Sequence, residues 1–129
     1  MQSTGCKMSS TDGLIGNGIF DPAKVYKKYN DEHYFHTLKK IYRSKGNKSL
    51  DNGFPIIWDL EFLKVHNCVI CSSVVLEKSI LDRINMMKCV KNGQEDYDCW
   101  LRSLEHTNSV YVKDICFYYD NGHGYGQNY

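Results

Sequence analysis

Glu95, Asp96 and Asp98 crowd three carboxylates into a short interval just after Gly93. A carboxylate fixed on a rigid element can take the proton from a hydroxyl as that oxygen attacks, so the group is a candidate general base. The same residues also read as an ordinary acidic helix start. Other groups with chemical potential lie elsewhere. Cys68-x-x-Cys71 has the spacing of a metal or redox pair, but a structural zinc site needs a second matched pair, and Cys89, Cys99 and Cys116 do not provide one. Buried thiols are the better reading. His33 and His36 would share a helix face without an acidic or cysteine partner nearby in sequence. His66 and His123 stand apart.

The acidic group needs an element to hold it. Tyr97, Trp100, Leu101 and Leu104 recur at i, i+3, i+4 and i+7, which predicts one face of an α-helix. Glu95, Asp96 and Asp98 then fall in its first turn, where free backbone N–H groups and the helix dipole favour negative charge. Asp98 and Arg102, four apart, are placed to pair along its surface. Upstream, Asn67–Leu76 is almost entirely apolar, β-branched or small, which predicts a central strand buried on both faces.

These two blocks carry a family resemblance. Glu95-Asp96-Tyr97-Asp98-Cys99-Trp100-Leu101-Arg102 resembles the E-D-x-x-x-W-x-R signature of the family 2 glycosyltransferases of the GT-A fold. The run from Asn67 to Lys78, with Ser72-Ser73-Val74-Val75 at its centre, is similar to the strand that precedes that signature. The resemblance implies an α/β fold with a GT-A-like, Rossmann-like mixed sheet and flanking helices. It covers the C-terminal, acceptor-binding half of such a domain; the N-terminal, nucleotide-binding half is missing from the match. It implies inverting transfer of a sugar from a nucleotide-sugar donor to an acceptor hydroxyl on a carbohydrate or protein. Asp96 would be the general base. Glu95, Trp100, Arg102, Ser72 and Ser73 would serve acceptor or substrate binding, with Trp100 and Arg102 also anchoring the helix. A divalent ion, Mn or Mg, is implied for the intact family, and His123 would be its one ligand here. Asp96-Tyr97-Asp98 has the letters of the family's metal motif, but on a helix, side chains two apart diverge by about 200°. Without the donor half, the resemblance implies a domain inactive alone. The alternative is a non-catalytic interaction module with an exposed sheet edge, or a truncated remnant that pairs with another chain supplying the rest.

The totals set outer bounds. One domain is expected for 129 residues. A hydrophobic share of 42% and a charged share of 24% are ordinary for a globular chain. A formal net charge of +1 gives no basic stripe for nucleic acid. No run approaches the roughly 20 apolar residues of a membrane helix, and residues 1–18 lack a signal-peptide pattern, so a cytoplasmic setting with reduced cysteines is expected.

Along the chain, residues 1–20 read as turn-rich, with Thr11-Asp12-Gly13 a breaker and Cys6–Ser9 a short strand. Asp21-Pro22 predicts a short helix through Tyr29. Asn30 caps a second one, whose Tyr34, Phe35, Leu38, Ile41 and Tyr42 share a face and which Gly46 stops. Asp59 caps a helix to Val65, and Ile80, Leu81 and Ile84 turn inward from another. Two strands, 109–112 and 115–119, flank a bend at Lys113-Asp114. A mobile tail is expected from Asp120 onward.

Overall fold

The computed structural model describes residues 2–122. Its strands are β1 (Met8–Gly16), β2 (Lys27–Lys28), β3 (Ile57–Trp58), β4 (Val75–Leu76) and β5 (Ser109–Asp120). Its α-helices are α1 (Phe35–Ser44), α2 (Leu60–Val65), α3 (Lys78–Arg83) and α4 (Glu95–Leu104), and a π-helical segment, Tyr29–Tyr34, leads into α1. The fold is mixed α/β, with one five-stranded mixed sheet in the order β2-β1-β5-β3 and with β4 also paired to β1. β1 and β5 run parallel. Parallel neighbours need a long connection, and residues 17–108 provide it. β2 and β4 pair antiparallel with opposite ends of β1's other edge, so β1 is the central strand.

The composition of β1, Met-Ser-Ser-Thr-Asp-Gly-Leu-Ile-Gly, reads as a turn. Ser10 and Asp12 are nonetheless buried, and the strand forms because both edges are paired. Its register against β5 slips twice: Thr11 faces Val112 and Asp12 faces Ile115, then Leu14 faces Tyr118. The expected bend at Lys113-Asp114 is therefore a bulge inside one continuous strand. The second slip brings the Phe117 ring against the backbone of Gly13, where an added Cβ would collide with it.

Two further expectations are corrected. Asn67–Leu76 is not a central strand: Cys71–Ser73 is a 3₁₀ turn, and only Val75–Leu76 pairs. Local polar groups compete with the ladder here. Asn67 Oδ1 accepts from Val69 N at 3.3 Å, and Ser73 Oγ donates to the Ile70 carbonyl at 2.7 Å. Asp21-Pro22 does not open a helix either. The Asp21 carboxylate accepts from Ala23 N and its carbonyl from Lys24 N, which closes a turn before β2. Asn30 is buried within the π-helical segment and does not cap it.

The other helices follow their patterns. Leu38 and Tyr42 of α1 are buried. Gly46, at φ +74°, ends the chain's helical path in the left-handed region that glycine enters without strain. Asp59 caps α2 by accepting from Phe62 N at 2.8 Å. Phe62, Leu63, Trp100 and Leu104 join Met8 and Tyr111 in the core, where Trp58 stacks on Tyr111 at 4.5 Å. The strand expected to give way to a loose tail instead runs through Asp120, whose carboxylate accepts from Gly18 N and Gly122 N at 2.8 Å each. The rest of the expected tail, from residue 123, lies outside the described residues.

Candidate functional site

α4 forms over the residues whose spacing predicts it, and its three acids occupy the first turn. They go to different places. Asp98 pairs with Arg102 at 2.9 Å, and Arg102 also donates to the carbonyls of Ile84 and Met86 at 2.7 and 3.1 Å. This clamps α4 to the turn after α3, where Asn85 and Met86 both hold positive φ. Asp96 is half-buried, its Oδ1 accepts from Tyr97 N at 2.7 Å, and no salt bridge engages it among the described residues.

Asp96 borders two neighbouring pockets, the two lobes of the candidate cleft. The first lobe, about 340 Å³, is walled by Tyr29, Tyr34, Tyr119, Cys71 and Ser72. The second, about 430 Å³, is walled by Lys45, Lys64, His66, Gln94 and Tyr97. Asp96 and Asn67 belong to both. The rings along the cleft touch in series. Tyr119 lies 5.2 Å from Tyr29 by ring centroid, Tyr29 lies 6.1 Å from Tyr34, and Tyr34 lies 5.9 Å from His66.

A buried carboxylate outside the cleft holds this wall in place. Asp12, fully buried, accepts from Gly13 N and Asn30 N through Oδ1 at 2.8 Å each, and from Asp31 N through Oδ2 at 3.1 Å. Asn30 and Asp31 are the second and third residues of the π-helical segment, so Asp12 satisfies N–H groups that have no intrahelical partner. That segment carries Tyr29 and Tyr34. The Asn30 side-chain amide then donates to the carbonyl of Cys68, another residue of the cleft lining, at 3.5 Å. The sequence signal for Asp12 was present but pointed elsewhere: Asp-Gly in a polar run reads as a turn.

Electrostatically the first lobe has one charged group. Asp96 is the only acid or base of formal charge among its described lining residues. Burial, then the neighbouring Tyr119 and Tyr34, pushes the Tyr29 phenol up to about 12. Burial also pushes the Cys68 thiol up to about 12, and raises the Cys71 thiol with help from the charge of Asp96. These groups stay protonated at neutral pH and offer neutral polar contacts. In the second lobe, burial and then Lys45 hold the His66 imidazole below its ordinary value. The arrangement can bind a hydroxylated ligand against aromatic rings and receive its proton at Asp96.

The other expected site residues divide. Ser72 lines the first lobe. Ser73 is buried and bonded to the Ile70 carbonyl, so it shapes the turn beside the cleft. Glu95 shares the first turn of α4 but does not line either lobe. Trp100 is 4% exposed and packs in the core, and Arg102 is committed to Asp98 and two carbonyls. Neither reaches the cleft, and both anchor α4. Trp58 and Tyr97, residues with rings suited to sugar, are also placed: Trp58 is core, and Tyr97 lines the second lobe while its hydroxyl donates to the Leu63 carbonyl at 2.6 Å. Cys68 is buried and Cys71 exposed. His123 lies outside the described residues. Among the described residues no cluster of three or more His, Cys, Asp or Glu is placed to hold a metal ion. The divalent ion therefore has no ligand set among the described residues.

Fold and site together define a mixed α/β domain with a two-lobed cleft and one carboxylate at its waist. Comparison with family models, with curated proteins and with solved structures gave no match. No helix among the described residues is long and apolar enough to cross a membrane.

Proposed function

We propose that this chain is the acceptor-side part of a GT-A-like, family 2 glycosyltransferase domain, with Asp96 as the general base of an inverting sugar transfer. The observation that carries the reading is the division of labour on α4. Asp98 is spent on Arg102, whereas Asp96, free of any described ion pair, stands at the waist of a cleft lined by rings and hydroxyls. A hydroxyl is a poor nucleophile until its proton leaves as the new bond forms, and a carboxylate on a clamped helix meets that need. The acceptor, a carbohydrate or a protein, occupies the cleft. The nucleotide-sugar donor and its divalent ion are held by residues other than those of the cleft.

One observation favours partner binding as the chain's whole role. β3 and the Ile56 carbonyl before it cover only Ser109, Val110 and Tyr111 of β5's outer edge, and no other described strand pairs with that side. Ile115 there is 40% exposed, and Ile56 beside β3 is 64% exposed. An open edge flanked by apolar side chains is a template for another chain's strand.

The test is a transfer assay on the protein isolated with whatever it binds, using labelled nucleotide-sugar donors with Mn²⁺ or Mg²⁺. Asp96→Asn is expected to lower turnover by about 100-fold or more, as for loss of a general base, with an unchanged melting temperature. Turnover retained in Asp96→Asn removes the base assignment. Absence of transfer under every donor removes the transferase reading.

A further inference from the structure

The row Tyr119–Tyr29–Tyr34–His66 covers more of the cleft than a single sugar ring can occupy. We propose that the first lobe is an extended carbohydrate subsite, so that the acceptor is an oligosaccharide lying along Tyr34, Tyr29 and Tyr119 with its terminal hydroxyl at Asp96 beside His66. This deepens the glycosyltransferase reading and rests on it only for the role of Asp96. The binding claim stands on the cleft alone.

Three features carry it. The rings belong to separate parts of the chain: Tyr29 and Tyr34 to the π-helical segment, Tyr119 to β5, and His66 to the segment after α2. Their contacts form one uninterrupted series from the end of β5 to the waist. Aromatic side chains offer flat apolar surface with polar tips, which matches a sugar's apolar ring face and its rim of hydroxyls. Next, the lobe supplies neutral polar partners along that wall. Ser72 and Asn67 line it, and the Tyr34 hydroxyl lies 3.3 Å from His66 Nε2.

The third feature separates sugar from single-stranded nucleic acid, the other polymer that lies on rows of rings. Nucleic-acid channels add positive charge that follows the phosphates. Here the lining of the first lobe holds no Lys or Arg among the described residues, and its one charge is the carboxylate of Asp96. Lys45 and Lys64 both lie in the other lobe, where Lys45 Nζ donates to the Val65 carbonyl and Lys64 pairs with Glu61. A neutral glycan fits the first lobe, and a phosphodiester chain is repelled from it.

The experiment is binding without donor. The full chain is titrated by NMR and calorimetry with chito-, manno-, malto- and xylo-oligosaccharides of one to four units, and with a tetranucleotide of single-stranded DNA. At least one glycan series is expected to gain affinity with length through the third unit. Tyr119→Ala is expected to weaken the longest ligand by roughly 3–10-fold, the scale of one aromatic contact, and to leave the monosaccharide unchanged. Tyr119 is 37% exposed, so this variant keeps the fold, and Tyr29→Phe, which retains the ring, keeps the length dependence. Equal affinity for one unit and four overturns the proposal, as does an unaltered Tyr119→Ala, tighter binding of the tetranucleotide, or no binding of any glycan. Length-dependent binding without sugar transfer upholds the subsite and removes only the enzyme. Transfer to single sugars with no gain from length removes only the subsite.

Discussion

Asp12→Ala is the substitution that reaches furthest into the fold. The carboxylate is fully buried and receives three backbone N–H groups, those of Gly13, Asn30 and Asp31, at 2.8, 2.8 and 3.1 Å. Alanine leaves all three without an acceptor. A buried donor stripped of its partner costs about 1–3 kcal/mol, and some of that is recovered by local relaxation, so the loss is about 3–5 kcal/mol. Natural domains hold only about 5–15 kcal/mol in total, so this is a large share. Asp12→Asn keeps one acceptor oxygen but turns an amide donor toward one of the N–H groups, for a loss of about 2 kcal/mol. Urea unfolding of the three proteins, with equal slopes, measures the series. Hydrogen exchange adds the local view: the Asn30 and Asp31 amides should lose protection in Asp12→Asn before the core does. A loss below about 1 kcal/mol in Asp12→Ala refutes the reasoning, because three orphaned donors cannot be that cheap.

Two further outcomes follow from the titratable groups. The His66 imidazole is held below 6.5 by burial and then by Lys45, so the unfolded chain binds its proton at a higher pH than the folded one. The stability this neutral ring contributes is complete above pH 6.5 and is lost as pH falls through the window below it; an NMR titration of the His66 ring with a midpoint at or above 6.5 would contradict this. Among the cysteines, the exposed Cys89 and Cys116 should react readily with a thiol reagent, exposed Cys71 more slowly because burial and Asp96 raise its thiol, and buried Cys68 and Cys99 only on unfolding. Mass spectrometry of a brief labelling reaction decides it, and early modification of Cys68 would show that its wall of the cleft opens.

The helical parts of the fold were legible because their information is local. Trp100, Leu101 and Leu104 recur at helical spacing, Asp59 stands where α2 begins, and Gly46 takes the left-handed conformation just beyond α1. The sheet was not legible, because its strands are decided by what lies beside them. β1 carries Ser, Thr, Asp and Gly, which favour turns, yet it becomes central through pairing with three other strands. Asn67–Leu76 has the composition of a buried strand, yet Asn67 and Ser73 bond to its own backbone, and the place in the sheet is already taken. The cleft shows the same split. Asp96 was visible from its helix, as was Ser72 from its run. The tyrosine wall was not, because Tyr29, Tyr34 and Tyr119 meet only after β5 returns beside β1.

The polar character of β1 then has a physical account. A central strand made of apolar residues would pack at least as well and leave fewer polar groups to satisfy. Instead, Asp12 interrupts the register with β5, and the interruption lets its carboxylate leave the ladder and take the first amides of the π-helical segment. Asn30, seated by that contact, bonds to the Cys68 carbonyl of the cleft lining. One buried acid therefore helps to seat the cleft lining without itself being part of it. An apolar residue at position 12 would preserve the strand pattern and lose that support, so ligand affinity should fall in Asp12→Asn even where the fold survives. If Asp12→Asn binds the oligosaccharide as tightly as the wild type at a temperature where both are folded, the acid serves stability alone.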